Sequence, residues 1–203
     1  MYFFLVERQK STVDIQECWP IFDIDRTIEL CATLGVRHQY RGSFPTPFTI
    51  DFLITESVDD QLMYRAASIK TPEDAADPKV RQRLEVENRW CRERGIPWTL
   101  VDTSHFDRTL LSNLLFMRTW FRHHYDPNED VESRFAESFR AIYATNVPLA
   151  ALIEETAKVL RFPVPLAIDV FRYCAWSDRI AVSLKHPLSL NMPLVLRRTN
   201  NHA

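Results

Sequence analysis

Apolar residues recur at helical spacing in KVRQRLEVENRWCRER, where Val80, Leu84, Trp90 and Cys91 share one face. This predicts an amphipathic helix over 79–94, closed by Gly95. Ahead of it, FTIDFLIT (48–55) and QLMYRAASIK (61–70) are β-rich runs joined by the polar turn ESVDD, the pattern of an antiparallel hairpin. PWTLVDTS (97–104) reads as a further short strand, and RGSFPTP (41–47) as a loop. A helix is expected from about Asp25 to Leu34, capped by Asp23 or Asp25 and ended by Gly35. Residues 1–9 read as a short apolar helix that starts without a capping side chain. Strand, strand, helix, strand make a mixed α/β core with a helix across the sheet.

From His105 the pattern becomes helical, with runs over 106–124, 128–144, 148–161 and 165–175. WSDRIAVSL (176–184) and PLVLRR (193–198) look like two strands around the HPLSLNM loop. Helices followed by a β-ribbon fit a winged-helix module, and a small helical bundle would read similarly. Two domains are expected, at 1–108 and 109–203.

Composition narrows the chemistry. The chain has 203 residues, 46% apolar and 26% charged, and so suits folded domains. Its net charge is −2, so nucleic acid would have to be met by local basic patches. Only three glycines occur, which excludes GxGxxG and Walker-type phosphate loops. GxSxG, HExxH and EF-hand patterns are absent too. The four cysteines lie far apart with no CxxC pair, which disfavours a zinc knuckle or disulfide scaffold and suggests a reducing cytoplasm. No apolar run approaches the roughly 18 residues of a membrane span. What remains is hydrolysis with simple ions, or binding.

The informative block is Asp51 on one expected strand and Ser68-Ile69-Lys70 at the end of the next. Alternation puts Asp51 with Thr49 and Leu53, opposite Phe48, Ile50 and Phe52. A carboxylate in an apolar strand is costly unless it is paired or binds a metal. In a hairpin Asp51 and Lys70 can meet, with the Ile69 carbonyl nearby. Such a group suits phosphodiester hydrolysis: two oxygens hold a hard divalent ion and a lysine orients the water. The same spacing would also serve a buried ion pair with no catalytic meaning.

The surroundings resemble the TnsA family, the endonuclease subunit of a heteromeric transposase. The resemblance runs through Thr12-Val13-Asp14-Ile15-Gln16-Glu17, Trp19-Pro20-Ile21, Thr27-Ile28-Glu29-Leu30 and Leu34-Gly35-Val36. It continues through Thr49-Ile50-Asp51-Phe52-Leu53-Ile54-Thr55, Ala67-Ser68-Ile69-Lys70, Leu84-Glu85-Val86-Glu87 and Gly95-Ile96-Pro97-Trp98-Thr99-Leu100-Val101. It implies a restriction-endonuclease-like mixed sheet using Mg2+, with Mn2+ able to substitute. Asp51 would hold the metal with the Ile69 carbonyl, Lys70 would be the catalytic lysine, and Glu87 would join the site from the helix. Glu85 should project elsewhere. The resemblance further implies cleavage at the 5′ ends of a transposon, with transposon-end DNA, a TnsB-like transposase and a TnsC-like ATPase regulator as partners.

Two departures stand out. Position 68 is Ser where the family has Gln or Glu, and a neutral hydroxyl is a weaker ligand. The family's first catalytic glutamate would fall just ahead of Met1, so either the chain starts late or Glu7 substitutes. These departures motivate an alternative, a nuclease-inactive structural subunit of the same complex. A free-standing DNA-binding or repair protein is less favoured, because the motifs run in family order. DNA-contact candidates are Lys79, Arg81 and Arg83 on the long helix, Arg37, His38 and Arg41 before the loop, Arg118 with Arg122, and Arg197-Arg198.

Overall fold

In the computed structural model, which describes residues 1–197, a six-residue helix, α1 (Tyr2–Glu7), opens the chain. Its first residues carry no side-chain cap, as expected. Arg198, one of the DNA-contact candidates, lies outside the described residues. Two units form: one spans Gln9–His105, and the other joins Met1–Arg8 to the chain from Phe106 onward. The opening helix therefore packs with the C-terminal helices, whereas the sequence reading places it with the sheet.

The sheet unit comprises β1 (Thr12–Ile21), α2 (Ile24–Leu34), β2 (Tyr40–Arg41), β3 (Phe44–Pro45), β4 (Phe48–Val58), β5 (Gln61–Lys70), α3 (Pro72–Ala76), α4 (Pro78–Glu93) and β6 (Trp98–Asp102). Strand order is β1-β4-β5-β6. The first three strands pair antiparallel, while β6 runs parallel to β5, with α4 in the crossover that a parallel pair requires. At the β4–β5 turn Asp59 and Asp60 both have positive φ, 50° and 61°, which matches the strand twist of a two-residue hairpin. Gly35 takes the left-handed conformation that closes α2, its N–H bonding back to the Ala32 carbonyl. Asp23 sits at the N-cap of α2 but makes no cap bond; its carboxylate pairs with Arg94 instead.

β1 carries no strand signature in the sequence. It is an edge strand carrying Asp14, Gln16, Glu17 and Pro20, most of it partly or fully exposed, so it lacks an apolar signature. The unit's core joins Ile21, Leu30, Phe48, Ile50, Leu53, Ala66, Val86, Trp90 and Cys91. That set corrects the expected alternation in β4, because a strict period of two cannot put Ile50 and Leu53 on one face. Across the ladder Trp19 pairs with Ile50 and Glu17 with Phe52, while Cys18 between them has a φ of 52°.

A left-handed β-branched residue is strained, whereas glycine is not. Cys18→Gly should hold or raise stability by about 0.5–1 kcal/mol, and Cys18→Val should lower it by about 1 kcal/mol or more. Ordinary strand preference gives the opposite order. Urea unfolding of both variants decides; a more stable Val variant would remove the case for strain.

In the helical unit, α5 (Arg108–Arg122), α6 (Glu129–Ile142), α7 (Leu149–Leu160) and α8 (Val164–Trp176) enclose Leu114, Met117, Phe135, Phe139, Ile153 and Phe171, all at most 0% exposed. Asp107 and Asn128 cap α5 and α6 through the N–H groups of Leu110 and Val131. Arg118 holds Glu7 with two bonds of 2.6 and 2.7 Å, and Arg8 caps the carbonyls of Ala175 and Trp176. The expected tail strands do not form as strands. Among the described residues the tail pairs only through the bridges Pro148–Pro193 and Val182–Leu196. Residues 181–183 and 195–197 do face each other, the Ser183 N–H donating to the Val195 carbonyl and the Arg197 N–H to the Ala181 carbonyl. Asn113, buried on α5, holds the loop that joins them. Its amide donates to the carbonyls of Leu184 and His186 and accepts from the Leu188 N–H, doing for that backbone what a partner strand would do.

Candidate active site

The β4–β5 ladder ends at Phe52–Ala67, while β5 stays paired to β6 as far as Lys70. Where the two strands part, Asp51 takes over the lost pairing. The Ile69 N–H donates to Asp51 Oδ2 at 2.7 Å, so a side chain satisfies a backbone donor that β4 no longer reaches. The Lys70 Nζ donates to the same Oδ2 at 2.9 Å and to the Ile69 carbonyl, also at 2.9 Å. Asp51 and Lys70 side chains are 33% and 26% exposed, so the pair lies within reach of a ligand. The ammonium stands where a cation between two oxygens would stand. Asp51 Oδ2 and the Ile69 carbonyl are hard donors that fit a divalent ion keeping several of its own waters. Among the described residues no cluster of three or more His, Cys, Asp or Glu adds further ligands.

Glu87 enters from α4. It is only 5% exposed, and its Oε2 accepts a 2.6 Å hydrogen bond from the Ser68 hydroxyl, itself 1% exposed. Burial pushes the Glu87 carboxyl up to about 7, and the nearby Asp51 charge adds to the rise. The Ser68 bond, Lys70 and Arg83 all favour the charged form but do not outweigh burial. Glu85, two residues earlier, is turned away and pairs with Arg89 at 3.0 Å. The helical offset of about 200° separates the two carboxylates as expected. A carboxyl held half-ionised near neutral pH beside a cation seat can accept a proton; an oxygen pair can bind a metal; an ammonium can meet a phosphate.

Asp51, Ser68, Ile69, Lys70 and Glu87 are thus brought together. Lys79, Arg81 and Arg41 are exposed; Arg81 lines a cleft of about 420 Å3 with Leu100, Asp102 and Ser104. Arg83 is half-buried, its guanidinium 4.4 Å from the Phe48 ring centre and bonded to the Gln39 side chain. His38 is buried between the Thr27 hydroxyl and the Gln39 carbonyl, so it offers no phosphate surface. Arg118 is taken up by Glu7, and Arg122 is exposed. Cys18 was not singled out from the sequence, and no sequence signal marks a non-glycine residue with positive φ.

A mixed sheet with a helix across it, carrying an aspartate and a lysine at the point where two strands part, is a restriction-endonuclease-like core. The match to known families is specific. Residues 9–103 fit the family model described as TnsA-like endonuclease N terminal, so this stretch is similar to that family. It is also similar to the Transposon Tn7 transposition protein TnsA of Escherichia coli, with 23% identity over 112 residues. That alignment covers 55% of this chain and 40% of the relative, so the chain spans less than half of that protein's length. Among the described residues no helix is long and apolar enough to cross a membrane.

Proposed function

We propose that the chain is the DNA endonuclease subunit of a transposase, cutting one strand at the 5′ ends of a transposon. The observation that carries this reading is the Lys70 ammonium held by Asp51 Oδ2 and the Ile69 carbonyl, beside the buried Glu87. Mg2+, or Mn2+ in its place, would bind those two oxygens, polarise the phosphate and lower the pKa of its water. Asp51 and the Ile69 carbonyl hold that position. Lys70 then turns its charge to a non-bridging phosphate oxygen and stabilises the charge that builds there. Glu87 accepts the proton of the attacking water, for which a carboxyl near pH 7 is well matched. Ser68 fixes the Glu87 carboxylate rather than binding the ion itself.

The partners of this reading are transposon-end DNA, a TnsB-like transposase for the 3′ ends and a TnsC-like ATPase regulator. With a net charge of −2, the isolated chain has little electrostatic hold on DNA and should cut poorly alone. The test maps products on end-bearing duplex with Mg2+, with and without both partners. Specific 5′-end nicks that rise strongly with the partners support the proposal. A folded chain that assembles with them but never cuts is the structural subunit, the reading that the neutral Ser68 favours.

A further inference from the structure

The short β2–β3 hairpin combines exposed rings with cations in a stretch free of acidic residues. No Asp or Glu occurs between Glu29 and Asp51, while Arg37 and Arg41 fall within that interval and are both exposed. Many of the chain's other arginines are tied to carboxylates, as Arg26, Arg94 and Arg118 are. Two aromatic rings stand out beside these cations: Phe44 is 76% exposed and Tyr40 53%. Arg41 pairs with Phe44 across the hairpin, so a cation and a ring share one face. Tyr40 lines a cleft of about 570 Å3 with Arg37, His38, Gln39 and Thr46.

The hairpin is preorganised. Gly42 turns it with a φ of 65°, the Thr46 N–H bonds the Gln39 carbonyl at 2.8 Å, and His38 packs edge-on against Tyr40 and Phe48. It is also tied to the candidate site, because Arg83 bonds Gln39 one helical turn before Glu87. A ring beside a cation suits a partner that offers both a flat face and negative charge. Nucleic-acid bases cover such rings when unpaired, since a base offers its flat face only outside the duplex stack.

We propose that the β2–β3 hairpin is a platform for single-stranded DNA beside the cleavage site. Phe44 stacks on an unpaired base on the face it shares with Arg41, and Tyr40 takes another on the opposite face, where it lines the cleft with Arg37. The two arginines neutralise the flanking phosphates. The proposal rests on the DNA-directed reading above, and it names the form of DNA that the site meets: a locally unpaired strand.

The test is fluorescence anisotropy on the full chain in EDTA, with a labelled oligothymidine strand and a labelled blunt duplex. The strand should bind more tightly than the duplex. Tyr40→Ala and Phe44→Ala should each weaken strand binding on the order of tenfold and duplex binding by less than about twofold. Tyr40→Phe, which keeps the ring, should bind like the wild type. The double variant Arg37→Ala with Arg41→Ala should reduce the salt slope by about 1.4 for two single-strand phosphates. Circular dichroism should show unchanged folding, because all four side chains are exposed.

Strand affinity within about twofold of wild type in both alanine variants overturns the proposal. So does strand binding no tighter than duplex binding, or none at all. If those variants bind DNA normally but lose self-association in sedimentation, the hairpin is a protein interface and the proposal falls. Cleavage is scored separately with Asp51→Asn. A failure of the nuclease reading shows there and leaves the anisotropy outcome to be read by itself.

Discussion

Asp51→Asn should slow end cleavage by at least about a hundredfold in the partner-complemented reaction, with the fold intact. The substitution removes one charge and keeps the shape. The Asn carbonyl can still accept the Ile69 N–H that Asp51 Oδ2 takes at 2.7 Å, so the point where β4 and β5 part keeps its hydrogen bond. What is lost is the anionic half of the cation seat, which the Lys70 ammonium occupies in this structure. Removing one preorganised electrostatic contact at a reacting phosphate is worth about 10²–10³ in rate. The stability cost should stay near 1 kcal/mol, because the pair is about a third exposed and solvent screens it. Gel mapping of end-nicked product together with a thermal melt checks both halves. Cleavage within tenfold of wild type by a well-folded Asn variant would remove Asp51 from the chemistry.

The sequence shows the placement of this pair well and its surroundings poorly, for separable reasons. β4 and α4 announce themselves because they bury apolar residues, and β5 because its residues favour strands although its first half is exposed. Position and spacing of Asp51, Ser68 and Lys70 follow from those strands. The loss of ladder pairing at Asp51 does not, because it shows only once β4 is set between β1 and β5, with a left-handed Cys18 across from it. β1 hides for a related reason: an edge strand with four polar or proline positions looks like a loop until its partner is known. At the other end, two tail segments with strand composition meet only through a short bridge, while Asn113 on α5 takes up the backbone of the loop between them. Local composition cannot anticipate a buried amide that anchors a distant loop. Glu87 was legible as a site residue only by resemblance. Its burial, and hence its proton affinity, needed the packing of α4 on the sheet.

That burial gives the second large effect. Glu87→Gln should make the protein more stable at pH 8 by about 3 kcal/mol, and by almost nothing near pH 4. The carboxyl moves from an ordinary 4.5 to about 7 on folding. Each unit is worth about 1.36 kcal/mol, so the difference is of that order. The sign follows from proton counting. Between the two values the folded state holds the proton that the unfolded state has released, so wild-type stability falls as pH rises through that window. Below it both states are protonated and the contribution is fully present; above it both are ionised and the native carboxylate bears its desolvation cost. Gln is neutral throughout and can still accept the Ser68 hydroxyl, so the variant escapes that cost without orphaning a donor. Urea unfolding at pH 4 and pH 8, compared between variant and wild type, isolates Glu87 from the other titrating groups. Under the proposed reading the same variant should also lose cleavage, since Glu87 would take the proton of the attacking water. A Gln variant less stable than wild type at pH 8 would mean that Lys70 and Arg83 overcompensate burial, and Glu87 would then be a structural ion-pair partner rather than a base.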